Sequence, residues 1–159
     1  SFYSQCPSLI LNSSFEDNSC CPTTFSQLTC ADNWVDASGG SSDYYNTCGG
    51  WTSSSFAGYN DPDLPAPAGD GYAGFHSSWG YKEYLGACLT SPMVAGTPYF
   101  LTLWIAQSNV ANNIDLTLFG TPNCTELPWV GSSCPVGSGS WQYPAVFAAQ
   151  HHHQKMRLA

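Results

Sequence analysis

The stretch TPYFLTLWIAQ, Thr97 to Gln107, decides the fold class, together with NIDLTLF, Asn113 to Phe119, a few residues later. In the first, Tyr99, Leu101, Leu103 and Ile105 alternate with Phe100, Thr102, Trp104 and Ala106. Both faces are largely apolar, the pattern of a central strand. In the second, Ile114, Leu116 and Leu118 share one face and Asp115 and Thr117 the other, as in a half-buried strand. Working outward, Gly71 to His76 and Tyr81 to Thr90 read as extended, and SLILNSSF, Ser8 to Phe15, opens on an apolar run. Turn residues separate these runs at Gly39-Gly40, Gly49-Gly50, Asp61-Pro62, Gly69-Asp70-Gly71, Ser91-Pro92, Gly96 and Gly120-Thr121-Pro122. Several short strands at such spacing predict an all-β fold, an antiparallel β-sandwich of the jelly-roll kind, with less than about a tenth of the chain helical. The segment from Ala31 to Ala68 reads as mostly loop, and a loop of that length is usually functional or tied down.

Composition narrows the partners. The chain has 159 residues, the size of one domain. Charged residues make up 9%, against about 25% in an ordinary soluble domain, so Ser, Thr, Asn, Gly and Tyr must supply the surface. Eleven acidic residues face three basic ones, and Lys155 and Arg157 lie in the last five positions, leaving Lys82 alone in the body. Phosphate backbones and anionic lipid surfaces are held by Lys and Arg, so neither nucleic acid nor an anionic membrane suits this chain. A neutral ligand fits better. No apolar run approaches a membrane span, and the chain reads as a mature form whose leader has gone.

The eight cysteines, Cys6, Cys20, Cys21, Cys30, Cys48, Cys88, Cys124 and Cys134, form an even set in loop-like sequence. Without paired C-x-x-C knuckles they read as disulfides made in an oxidising, extracellular setting. One pairing is expected, Cys124 with Cys134, across the short loop that holds Pro128 and Gly131.

Two sets of residues carry a family resemblance. LILNSSFED, Leu9 to Asp17, is similar to the opening strand of galactose-binding-like jelly rolls, including carbohydrate-binding modules of the family 4/9 type. The run from Tyr72 to Tyr99, with SFEDNSCCPTTFSQLTCADNW and GGSSDYYNTC before it, resembles a module of secreted Bacteroidetes surface proteins, often ahead of gliding-motility or outer-membrane anchoring domains. The likeness extends from about Ser8 to Gln142. It implies a structural calcium ion, Ca2+, near the first strand, held by Glu16 and Asp17, with Asp70 or Asp115 able to add a ligand to the six to eight oxygens calcium prefers. Equally, Glu16 and Asp17 read as solvated strand-end charges. Where the family continues into two closing strands, this chain has YPAVFAAQHHHQKMRLA, so residues 1–142 are expected to form the module and 143–159 an atypical tail.

Catalytic machinery is hard to find. There is no G-x-S-x-G elbow, and His76 is the sole histidine before the tail, expected to pack or hydrogen-bond among aromatics. Scattered carboxylates single out no glycosidase pair. The chain therefore reads as a non-enzyme. Aromatic residues reach 14%, and a sugar site combines a stacked aromatic with a few placed polar groups. The ligand candidates are Trp51, Tyr59, Tyr44, Tyr45, Trp79 and Trp129, with Asn46, Asn60, Asp61 and Glu83 as polar partners. Each aromatic has a competing role in a core; Trp104 and Trp34, in or beside strand-like runs, are expected to be structural. Three functions follow: a cell-surface glycan-binding module, a structural or adhesive spacer in a larger surface protein, or a small secreted hydrolase.

Overall fold

The computed structural model of the chain describes residues 7–49, 69–78, 81–105, 114–128, 142–149 and 154–157. Among these the regular elements are ten strands and short 3-10 turns, with no α-helix. The all-β expectation holds. The strands are β1 (Trp34–Asp36), β2 (Asp43–Asn46), β3 (Gly71–Gly74), β4 (Ser77–Ser78), β5 (Tyr81–Lys82), β6 (Leu85–Ala87), β7 (Thr102–Ile105), β8 (Ile114–Gly120), β9 (Gln142–Ala149) and β10 (Gln154–Arg157). They associate as five antiparallel pairs: β1 with β6, β2 with β3, β4 with β5, β7 with β10 and β8 with β9. No α-helix among the described residues means none long and apolar enough to cross a membrane.

Two-stranded pairs bury little by themselves, and β1 and β2 are anchored on a small core at the N-terminal end. Cys30, Ala31 and Tyr44 are buried together, with Phe15 and Trp34 packed on them. A 3-10 turn, Leu28–Cys30, brings Leu28 and Cys30 into the interior beside β1 and β2. Phe15 stacks on Trp34 with ring centroids 4.4 Å apart, and the Trp34 indole N–H donates to the Asn12 carbonyl at 2.9 Å. Trp34 is structural, as its sequence context suggests. Three disulfides cross-link the described residues: Cys20–Cys30, Cys21–Cys48 and Cys88–Cys124.

Several expectations need correction. Cys124 bonds to Cys88, not to Cys134, because the Cys124–Glu126 turn lies beside the end of β6, where Gly86 faces Leu127. Cys134 and Cys6 lie outside the described residues. The opening run Ser8 to Phe15 is a turn rather than a strand: the Phe15 N–H donates to the Asn12 carbonyl at 3.0 Å, and both residues have positive φ, 48° and 63°. Only Ile10 bridges, opposite Leu89. The supposed loop after Ala31 carries β1 and β2, whose pairing is set by β6 and β3 far along the chain.

TPYFLTLWIAQ also differs from expectation. Among its described residues the strand is Thr102–Ile105, paired with β10, and Trp104 is 55% exposed. Both faces are apolar in sequence, yet among the described residues nothing covers the Phe100–Thr102–Trp104 face. The stretch expected as a tail supplies β9 and β10, the partners of β8 and β7. The β8–β9 register slips by one between Leu118↔Ala145 and Gly120↔Gln142. Pro144 falls within this irregularity, where a residue without an N–H costs the ladder least.

Candidate functional site

Around the β4–β5 hairpin, aromatic and polar groups come together at the surface. Ser77 pairs with Lys82 and Ser78 with Tyr81. The next pair inward is His76 with Glu83, where the Glu83 N–H donates to the His76 carbonyl at 3.0 Å. Glu83 turns inward and is only 7% exposed. A buried carboxylate must be hydrogen-bonded to be tolerated, and four donors meet it. The His76 N–H reaches Oε2 at 2.6 Å, while Oε1 accepts from the Ser41 hydroxyl at 2.6 Å, the Ser41 N–H at 3.2 Å and the Tyr81 hydroxyl at 3.1 Å. Glu83 thereby ties the hairpin to the 38–43 turn.

On the outer side of this network Tyr81 is 43% exposed, its hydroxyl 3.0 Å from that of Ser41. The His76 ring is exposed and lies 6.1 Å from the Tyr81 ring in a tilted arrangement. Phe75, next to His76, is also exposed. The Tyr81 and His76 rings thus form a small aromatic surface, with the Ser41 and Tyr81 hydroxyls beside it and the Glu83 carboxylate buried behind them.

Two more carboxylates belong to the same corner. Asp36 Oδ1 accepts from the Ser42 N–H at 2.7 Å, and Asp43 Oδ1 from the Ser26 N–H at 2.7 Å. Burial pushes both carboxyls above the ordinary range, the hydrogen bonds from Ser42 and Ser26 oppose this in part, and the Glu83 charge adds to the rise. The corner is acidic and acceptor-rich.

The sequence-derived candidates fare unevenly. Trp51, Tyr59, Asn60, Asp61, Trp79 and Trp129 lie outside the described residues. Tyr44 is fully buried; its hydroxyl donates to the Phe15 carbonyl at 2.8 Å and accepts from Asn46 Nδ2 at 2.9 Å. It is a core residue, packed with Cys30 and Ala31 in a strand whose last three residues are all buried. Asn46 is buried beside it and accepts from the Cys48 N–H at 2.9 Å. Tyr45 is buried as well, stacked on its ladder partner Tyr72 at 4.9 Å. Glu83 is hydrogen-bonded to Ser41 and Tyr81, two residues that the sequence reading did not single out. The signal that could have found Tyr81 is the run Tyr81-Lys82-Glu83 read as extended, in which alternate residues place Tyr81 and Glu83 on one face.

The Glu16 carboxylate, implied for calcium, is taken up by backbone amides instead. Glu16 Oε1 accepts from the Asp70 and Gly71 N–H groups at 3.0 and 2.9 Å, and Oε2 from Asp70 at 3.1 Å. Positive ends of amide dipoles occupy the places a cation would need. Gly69, at φ 75°, and Gly71 make this approach feasible, since a Cβ at Gly69 would run into the Glu16 carboxylate and one at Gly71 into the Phe15 carbonyl. The Asp17 carbonyl accepts from Asn12 Nδ2 at 2.7 Å and from the Asp32 N–H at 2.9 Å. Asp115 occupies the ladder position opposite Ala148 on β8, and Asp70 meets Glu16 through its backbone. Among the described residues no three His, Cys, Asp or Glu side chains converge as a metal site. No family model matches the chain, and no curated protein or solved structure was found to match it.

Proposed function

We propose that this chain is an extracellular, non-catalytic binding module of the galactose-binding-like jelly-roll kind, whose ligand is a glycan on a cell or secreted surface. The observation that carries the reading is the exposed Tyr81 ring, its hydroxyl set against Ser41 and Glu83 and its neighbour His76 turned to solvent. A sugar presents a flat apolar face edged with hydroxyls, and an aromatic surface bordered by placed oxygens complements it. Disulfides support the extracellular setting. The shortage of charge supports a neutral ligand, whose binding should hardly change with salt.

The test is a glycan array run on the whole chain, repeated with Tyr81→Ala. A specific hit that weakens by about 1–3 kcal/mol in the variant, with the melting temperature nearly unchanged, supports the reading. If Tyr81→Ala binds as before and Trp51→Ala loses binding, the module reading stands with its site on the Trp51 segment. An array without hits favours a structural or adhesive spacer.

A further inference from the structure

We infer that the Ser41–Tyr81 hydroxyl pair is an acceptor subsite, built for a ligand group that donates hydrogen bonds: the hydroxyl of a neutral sugar or the ammonium of an amino sugar. The inference rests on the binding-module reading and adds to it the chemical class the site accepts and the class it refuses.

The reasoning is a count of protons. Three oxygens stand in a triangle: Ser41 Oγ to Glu83 Oε1 at 2.6 Å, Tyr81 Oη to Glu83 Oε1 at 3.1 Å, and Ser41 Oγ to Tyr81 Oη at 3.0 Å. An ionised carboxylate only accepts, and each hydroxyl has a single proton. Two protons thus serve three contacts. The shortest contact, charge-assisted, takes the Ser41 proton. The Tyr81 proton then goes either to Glu83 or to Ser41. In both arrangements every hydroxyl proton is spent inside the triangle, and the Tyr81 oxygen accepts from nothing. What the pair presents outward is lone pairs only, on a tyrosine 43% exposed.

Charge points the same way. Glu83 backs the pair directly, and Asp36 and Asp43 lie near enough for its charge to raise their carboxyls. Lys82 follows Tyr81 in β5, and successive strand residues point to opposite faces, so it does not offset this on the Tyr81 side. A carboxylate or sulfate on the ligand would meet oxygens without protons. A hydroxyl or ammonium would meet unused acceptors beside an aromatic ring.

Three ring-matched probes separate the outcomes: methyl glucoside (neutral), glucosamine (cationic) and glucuronate (anionic), titrated into the full chain while the amide signals of Ser41, His76 and Tyr81 are followed by NMR. We expect methyl glucoside, glucosamine or both to shift these signals and glucuronate to leave them in place. Glucosamine binding that weakens with salt identifies the ammonium as the donor; salt-independent binding of the glucoside identifies the hydroxyl. Tyr81→Phe and Ser41→Ala, each keeping the wild-type melting profile, should weaken the response by about 3- to 10-fold. Glucuronate binding at these signals, or a Tyr81→Phe chain that titrates like the wild type, overturns the inference. Shifts confined to other residues overturn it while leaving the module reading intact. The absence of both shifts and array hits overturns the two together.

Discussion

The two ends of this chain stay ordered by different means. The N-terminal region, built on β1 to β3 and the turns around them, has buried side chains, two disulfides and a dense set of side-chain-to-backbone hydrogen bonds. The C-terminal region, β7 to β10, has the longest ladder among the described residues, six pairs of β8 with β9, and leaves Phe100 77% exposed and Trp104 half exposed. Among the described residues, the first region shows buried packing and cross-links, the second chiefly backbone pairing. Cys88–Cys124 joins them, helped by the edge contact of Tyr84 with Phe119 at 6.3 Å. The difference teaches that apolar content does not measure burial. Tyr44, in a polar-looking stretch, is in the core, while Trp104, in the most apolar run, is not.

Mutations can break or sharpen that contrast. The largest expected effect is Tyr44→Ala, which empties the core and strips the Phe15 carbonyl and the Asn46 amide of a partner; about 3–5 kcal/mol should be lost in urea unfolding. Removing the Cys20–Cys30 bridge with paired alanines should cost about 2–5 kcal/mol in the same measurement, since Cys30 is itself a core residue. Glu16→Ala removes a charged acceptor from the Asp70 and Gly71 amides and should cost about 1–3 kcal/mol. Chelator, by contrast, should leave the wild-type melting temperature in place; a fall would restore a calcium site, because a ligand held only by the native state stabilises it.

A further test concerns pH and has a definite sign. The folded-state values of Asp36 and Asp43 lie above the ordinary 3.8. The folded state therefore holds these protons more tightly than the unfolded chain. The stability they contribute is fully present below pH 3.8 and is lost as pH rises through their folded values. Asp36→Asn should flatten that decline in the urea midpoint, and an unchanged profile would show that the corner is better hydrated than its burial suggests. The smallest effect is expected for Trp104→Ser, within about 0.5 kcal/mol as for other surface changes. A loss of several kcal/mol there would mean that the C-terminal face is covered after all.

Much of the strand content was legible in the sequence. NIDLTLF predicts β8 almost residue for residue, and the Gly69-Asp70-Gly71 and Gly96 turns carry the positive φ that glycine permits. These are local signals, of period two and of backbone freedom. What stayed illegible depends on contacts far apart in sequence. β1 and β2 are stabilised by partners at 85–87 and 71–74, and Cys124 finds Cys88 through the packing of its turn on Gly86. Alternation in TPYFLTLWIAQ shows that two faces are apolar but says nothing of whether a second layer reaches them. Of the candidate site, Glu83 was visible as a carboxylate near aromatics. Its burial, and the hydroxyls of Ser41 and Tyr81 around it, required the hairpin to be folded onto the 38–43 turn.

The adjacent pair Cys20-Cys21 sends one bridge to Cys30 and the other to Cys48, with sequence separations of 10 and 27. Exchanging the partners would give separations one residue shorter and one residue longer. Loop-closure entropy would then distinguish the two isomers by less than about 0.1 kcal/mol. The exchanged isomer would also have the same mass and the same count of free thiols. Nothing in the chain statistics selects the native arrangement, so the choice falls to the Leu28–Cys30 turn, which carries Cys30 into the interior. Protein oxidised before that turn forms would be a mixture that weighs correctly and folds incorrectly, and only a peptide map cut between Cys20 and Cys21 would tell the two apart.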